Sequence, residues 1–532
     1  MKRKKIVVIA TLSLVHHFAV AQFAPVLELS DLNGSNGFTL NGVATNDLLG
    51  ISVSTAGDVN GDGIDDLIIS APFTDPDGNN AAGSSYVVFG SQSPFPVAFN
   101  LESLDGSNGF TLNGLAPSDE FGLSASTAGD VNGDGIGDLI IGAGGADPDG
   151  NNAAGSSYVV FGSQSPFPAS FNLPSLNGSN GFTLNGLAAI DRLGLSVSTA
   201  GDVNGDGIDD LVIGAPFADP DGNSSAGSSY VVFGSQSPFS ASFNLESLDG
   251  SNGFTLNGLA ASDQSGLSVS TAGDVNGDGI DDVIIGAPFA DPDGNEFAGS
   301  SYVVFGSQRP FPASLNLESL DGNNGFTLNG LAANDQLGLS VSTAGDVNDD
   351  DIDDVIIGAY RADSNGNNAA GSSYVVFGSQ RPFPASFNLE SLEGSNGFIL
   401  NGVAAEDQSG RSVSNAGDVN GDGIDDLIIG ANIADPDGNN AAGSSYVVLG
   451  SQHPFPASFN LESLEGSNGF TLNGVAADDI SGKSVSTAGD LNGDGIDDLV
   501  IGATGADTDG NRNAGSSYVV FGNDGIFKDD FE

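Results

Sequence analysis

Asp58-Val59-Asn60-Gly61-Asp62-Gly63-Ile64-Asp65-Asp66 is the stretch from which the rest of the chain can be read. It returns at Asp130, Asp202, Asp274, Asp346, Asp418 and Asp490, each time 72 residues further on. Oxygen-bearing side chains fall at positions 1, 3, 5 and 9, and position 6 is glycine in all copies but one. That spacing suits a hard cation. Ca²⁺ takes about six to eight oxygens at roughly 2.3–2.6 Å, and a short loop can present them only by turning sharply around the ion. Glycine permits the turn because it reaches positive φ without a Cβ clash. A plain hairpin turn needs one Asn-Gly. It does not need three or four carboxylates in nine residues, whose charges repel unless neutralised.

The expected ligands of the first loop are the side chains of Asp58, Asn60, Asp62 and Asp66 with the Ile64 carbonyl. The equivalent sets are Asp130, Asn132, Asp134, Asp138 and Ile136, then Asp202, Asn204, Asp206, Asp210 and Ile208. Next come Asp274, Asn276, Asp278, Asp282 and Ile280, then Asp346, Asn348, Asp350, Asp354 and Ile352. The last two are Asp418, Asn420, Asp422, Asp426 and Ile424, and Asp490, Asn492, Asp494, Asp498 and Ile496. Up to seven Ca²⁺ ions are therefore expected. An EF-hand is excluded, because position 12 is Ile69 inside the apolar run Leu67-Ile68-Ile69, where that motif needs a bidentate glutamate. The loop leads into a strand.

The same period governs the rest of the chain. Phe-Thr-Leu-Asn-Gly begins at Phe38, Phe110, Phe182, Phe254, Phe326 and Phe470, with Phe-Ile-Leu at Phe398. Each unit reads as four strands, in the first copy 51–56, 67–71, 84–89 and 110–113. β-branched and aromatic runs bounded by Gly, Asn and Pro support strands, and no helical periodicity is sustained. One such sheet cannot bury both faces alone, whereas stacking around an axis buries them between neighbours. The expectation is an all-β, seven-bladed β-propeller of four-stranded antiparallel blades. Residues 26–42 read as a fourth strand without its own first three, and the last copy stops after its third strand. The N-terminal strand is therefore expected to join the last blade, which closes the ring and removes exposed edges.

The pattern resembles FG-GAP repeats, which form the β-propeller of integrin α-chains. Phe121-Gly122 supplies the "FG", Gly214-Ala215-Pro216 the "GAP", and Asp202 to Asp210 matches the family's calcium loop. Most copies depart from the "FG", as at Leu49 and Ser265, and several lack the proline, as at Gly144 and Asn432. The resemblance implies calcium-stabilised adhesion or ligand binding and no catalysis.

Residues 1–21 read as a secretory signal: basic Lys2 to Lys5, an apolar core, and Ala19-Val20-Ala21 before cleavage at Gln22. The domain plan is thus 1–21 signal, 22–522 propeller and 523–532 tail. Removing the signal leaves eight basic residues against 69 acidic ones, a net charge of −61 that seven Ca²⁺ would reduce to −47. Such a surface repels nucleic acid and anionic membrane, and no stretch is long and apolar enough to insert. With no cysteine and His453 as the one histidine after the signal, thiol chemistry is excluded and a Ser-His-Asp centre is not evident. Paired carboxylates are abundant, but they repeat sevenfold, whereas a catalytic pair is normally unique.

The reading is a secreted or cell-surface calcium-binding propeller for an extracellular protein or glycan. The alternatives are a polysaccharide-active enzyme and a passive matrix component. Strand parity puts the acidic loops on one face with the Pro-Phe-Pro segments, whose phenylalanines are expected to wedge between blades. Variation among the copies gathers on the opposite face, at Phe73, Phe217 and Phe289, and above all at Tyr360-Arg361. Aromatic residues and arginine are the types enriched at binding hot spots, so these five are the candidate ligand contacts.

Overall fold

The computed structural model describes residues 23–523. The expected signal and residues 524–532 of the expected tail lie outside the described residues. The first seven strands show the plan: β1 (Val26–Glu28), β2 (Gly37–Asn41), β3 (Ser52–Gly57), β4 (Asp66–Ala71), β5 (Ser84–Val88), β6 (Ala98–Phe99) and β7 (Gly109–Asn113). In β4 every position is buried, as a continuous apolar run between two partner strands requires. β3, β4, β5 and β7 form an antiparallel meander, with Val53 opposite Ile69, Ile69 opposite Tyr86 and Tyr86 opposite Thr111. The unit recurs to give seven sheets, and the described residues contain no α-helix.

The core is a ring of layers between blades. Ile68, Val87 and Phe110 of the first blade pack with Leu139, Ile141 and Tyr158 of the second. The ring closes in the same way, because Val500 and Val519 of the seventh blade pack with Val53, Leu67 and Ile69 of the first. Each fully buried Leu, Ile, Val or Phe contributes about 1.5–3 kcal/mol, so every blade depends on both neighbours. The innermost strands are also tied directly. Val197 N–H donates to Ser124 Oγ at 3.1 Å, and equivalent bonds run round the ring to Val485–Ser412 and, across the seam, Val53–Ser484 at 3.3 Å.

The blades have five strands, not the four expected. The fifth is a two- or three-residue parallel strand on the outer edge. It is donated by the connection between the third and fourth strands of the following repeat: Ser170–Phe171 lies beside β7, and β6 beside β2. So short a segment has no period to read, and it follows a Pro-Phe-Pro run.

This sharing also corrects the reading of residues 26–42. They are two strands belonging to two blades. β1 is the parallel edge of the sixth blade, beside Gly469–Asn473. β2 is the fourth strand of the seventh, with Phe38 opposite Val519. The N-terminal segment therefore does close the ring, through two blades at once.

The phenylalanines of the Pro-Phe-Pro segments act as the wedges expected of them. Phe95 stacks on Phe38 with centroids 4.5 Å apart and planes 6° apart, and Phe167 on Phe110 likewise at 4.3 Å. At the N-terminus Phe23 takes the same place on Phe470. Phe38 is fully buried, and truncating a buried phenylalanine costs about 3–5 kcal/mol. Phe38→Ala should therefore lose stability of that order by denaturant titration. A loss below about 1 kcal/mol would mean that the seam does not carry the closure.

On the face away from the acidic loops, Asp335 and Asp407 hold tight turns by accepting the Ala332 and Ala404 N–H groups. Burial pushes both carboxyls up to about 6, against the lowering effect of those bonds. A folded pKa above the unfolded one means that the native state takes up protons. This contribution is therefore complete below pH ~4 and is lost as pH rises through about 6. In the presence of chelator the melting midpoint should fall between pH 5 and pH 7.5, and a rise over that window would contradict the assignment.

Candidate functional site: the acidic loops and the axial mouth

Each acidic loop leaves the innermost strand at a glycine and re-enters the sheet at the ninth loop residue. Asp58 folds the first loop round itself: Oδ1 accepts the Asp62 N–H at 2.9 Å and Oδ2 the Gly63 N–H at 2.8 Å. Asp62 Oδ1 accepts the Ile64 N–H at 3.0 Å. Gly61 and Gly63 make the turn possible at φ +71° and +87°.

Asp66 is 0% exposed. Its Oδ2 accepts the Val59 N–H at 3.1 Å, its Oδ1 accepts the Gly90 N–H at 2.9 Å, and Asn60 Nδ2 donates to both oxygens. One carboxylate thus joins the loop to the strand and to the exit of β5. The arrangement repeats as far as Asp498, whose Oδ1 accepts the Gly522 N–H at 2.9 Å.

Among the described residues Asp66 and its equivalents have no cationic partner. The one ion pair among the described residues is Arg192–Glu120, at 3.8 Å. Burial is the main force raising Asp66, Asp138, Asp210 and Asp498 to about 8, and the charges of the loop's other aspartates push the same way. Asp282, Asp354 and Asp426 are also raised, chiefly by burial.

Among the described residues no three Asp, Glu or His side chains are drawn together as a set that could hold a metal ion. Instead, the loop oxygens are engaged by backbone N–H groups. The donor chemistry nevertheless fits a hard cation. Each loop offers only oxygens, and two other carboxylates lie near enough to raise the pKa of the buried one. In the sixth loop Asn420 Oδ1 is buried without a partner. A buried carboxylate is costly until something compensates it.

Position 8 has a role that sequence reasoning missed. Asp209 Oδ2 accepts the Asp130 N–H at 2.7 Å from the preceding blade. Asp281, Asp353, Asp425 and Asp497 make the same bridge to Asp202, Asp274, Asp346 and Asp418, and Asp65 makes it to Asp490 across the seam. The second loop has Gly137 there, so this ring of bridges is open at Asp58. The signal was the single departure among seven copies. A Cβ built on Gly137 would lie 3.4 Å from Asp58 N, with no positive φ to oppose it. Gly137→Asp should therefore add the missing bridge and stabilise the protein by about 0.5–1.5 kcal/mol. An unchanged or lower melting midpoint would deny position 8 this role.

The fifth loop keeps the shape of the others without their glycines. Asp349 and Asp351 take φ +58° and +63°, a conformation costing a non-glycine residue roughly 1–2 kcal/mol. Asp349 is steadied by Gln452 of the next blade.

On the opposite face, Phe73, Phe217 and Phe289 are half-buried. Phe73 lines a cleft of about 910 Å³ with Asp47, Asp75 and Tyr86, and Phe289 meets Phe297 edge-on at 5.9 Å. Tyr360 is buried, and its hydroxyl donates to Gln336 Oε1 at 2.5 Å. Its ring has two guanidinium neighbours, Arg361 at 5.4 Å and Arg411 at 5.0 Å from the centroid. Of the Tyr360-Arg361 pair, only Arg361 is exposed. Arg411 was not foreseen. It precedes Ser412 of the axial serine ring, at a position held by Ile51, Leu123, Leu195, Leu267, Leu339 and, in the last blade, Lys483. His453, expected as a surface substitution, is exposed.

The FG-GAP repeat model matches residues 49–88, 121–160, 193–232, 265–304, 409–448 and 481–520. These segments run from the end of one blade-to-blade connection through the acidic loop to the third strand. The fifth copy, with Asp351 and Tyr360, lies between matched segments. The chain is 34% identical over 190 residues to a phosphatidylinositol-glycan-specific phospholipase D of Bos taurus, covering 34% of this chain and 21% of that protein. It is 28% identical over 305 residues to the Dictyostelium discoideum enzyme of the same name, covering 53% and 29%. It is 35% identical over 135 residues to Integrin alpha-PS2 of Drosophila melanogaster, covering 25% and 9%. The chain thus spans less than a third of the length of each of these relatives.

Proposed function

The chain is an FG-GAP repeat protein, and from that premise we propose that it is a secreted, calcium-stabilised binding propeller for an extracellular protein or glycan. One observation carries the calcium reading: seven wholly buried loop carboxylates, Asp66 and its equivalents, form no ion pair among the described residues. An ion held by the Asp58, Asn60, Asp62 and Asp66 set, with the Ile64 carbonyl, would keep those carboxylates ionised and anchor the loop. The same holds for the other six loops. Metal binding is then part of folding.

The absence of catalysis is part of this reading. The acidic groups at loop positions 1, 5 and 9 recur in every blade, where they hold the loops in shape. The matched relatives include enzymes, but the chain covers only 21% and 29% of them. The basic start at Lys2 to Lys5 and the A-x-A site support secretion. In addition, no helix among the described residues is long and apolar enough to cross a membrane.

Saturating calcium should raise the melting midpoint relative to chelator, since a ligand that binds only the native state adds about 2.7 kcal/mol per site at a hundredfold excess over Kd. Identical midpoints at low ionic strength would remove calcium from the account. The fifth loop should be the weakest site because its two left-handed turns fall on aspartates. If Asp346→Ala eliminates the tightest step of a calcium titration, this order is wrong. For the ligand, an array of glycans and matrix proteins separates a binding module from a passive matrix component.

A further inference from the structure

The axial mouth away from the acidic loops is broken in one sector. Five blades place Ile51, Leu123, Leu195, Leu267 and Leu339 next to the serine ring, and the sixth and seventh place Arg411 and Lys483. The repeat register brings each of these side chains against the residue just after the second strand of the preceding blade. A Cβ on Gly144 would lie 3.2 Å from Leu195 Cγ, and the Arg411 guanidinium lies over Tyr360. Asn432 holds that place before Lys483; it is buried, and its Oδ1 has no partner. Three cations, Arg361, Arg411 and Lys483, thus gather in neighbouring blades.

Their isolation is the informative fact. The chain has 69 acidic residues against twelve basic ones. Even so, among the described residues no carboxylate lies within ion-pair distance of any of the three. Arg411 and Lys483 are half-buried. Burial and the neighbouring Arg411 charge lower the Lys483 amino group to about 8. Arg411 is lowered too, first by burial; Tyr360 offsets this and Arg361 adds to it. Three like charges held together at a cost, in a chain with acids to spare, are arranged for an anion from outside. The Arg411 guanidinium carbon lies 5.0 Å from the Tyr360 ring centroid, and a guanidinium offers an oxyanion a two-pronged contact.

We propose that the axial mouth between the fifth and seventh blades is an oxyanion site. Arg411 and Lys483 grip a carboxylate or sulfate group, Tyr360 orients Arg411, and Arg361 guards the entrance. The inference deepens the ligand-binding reading of this face and rests on it. It can nevertheless fail alone, because its test uses small ions and does not require the natural ligand.

The test is equilibrium dialysis of the full calcium-loaded protein against labelled sulfate at constant ionic strength. Saturable uptake of one ion per chain is expected. Arg411→Leu with Lys483→Leu restores the apolar residue of four other blades, and it should weaken uptake at least tenfold without lowering the melting midpoint. Arg411→Leu alone, the milder change, should give a smaller loss in the same direction. Displacement of sulfate by acetate identifies a carboxylate receptor, and resistance to it a sulfate receptor. No saturable uptake by the unaltered protein, or equal uptake by both variants, would overturn the proposal.

Discussion

The interaction on which the architecture turns is the buried carboxylate at the end of each acidic loop. Asp66 gathers the Val59, Gly90 and Asn60 donors around one group that water does not reach. It fixes where β4 begins, and so sets the register of the sheet. Through Gly90 it also sets where the chain leaves β5 for the neighbouring blade. A hydrophobic residue there could fill the space but could not bind three donors, and their unpaired N–H groups would cost about 1–3 kcal/mol each. Loop and blade are therefore one unit, and any factor that stabilises charge on Asp66 acts on the whole ring.

Neighbouring blades are joined in three layers of different chemistry. Near the axis, serine hydroxyls accept backbone N–H groups. Midway, aliphatic side chains interleave. At the rim, stacked phenylalanines and a short parallel strand lap onto the preceding sheet. The polar links impose direction and register that the apolar layers lack, which suits a repeat whose copies are nearly identical and could otherwise slip by one strand. The position-8 aspartates add a fourth tie on the loop face, open only at Gly137.

Much of this was legible in the sequence because it repeats. The period gave the blade count, the aromatic and β-branched runs gave four strands per blade, and the unpaired segment at the N-terminus announced closure. The rest was hidden for physical reasons. Ser170–Phe171 is too short to alternate, and its pairing depends on a strand 59 residues away. Asp65 looked idle because its partner, the Asp490 N–H, belongs to another blade and to the far end of the chain. Tyr360 looked like a ligand contact because it is an aromatic at a variable position; the structure instead buries its ring beside two arginines. Arg411 and Lys483 could have been found by writing the copies in register.

The seam has a consequence for how the chain reaches its native state. β1 and β2 are synthesised first, yet their partners lie near the opposite end. Asn473 bonds Glu28 across 445 residues, a separation whose closure entropy is on the order of 5 kcal/mol. Until then Phe38 and Leu40 stand on a strand with no sheet, while the nascent sixth and seventh blades offer open edges. A second chain presents identical strands to those edges, so intermolecular exchange competes with closure whenever concentration is high. The open ring is therefore the vulnerable species of this fold, and its lifetime decides between a closed monomer and strand-swapped oligomers.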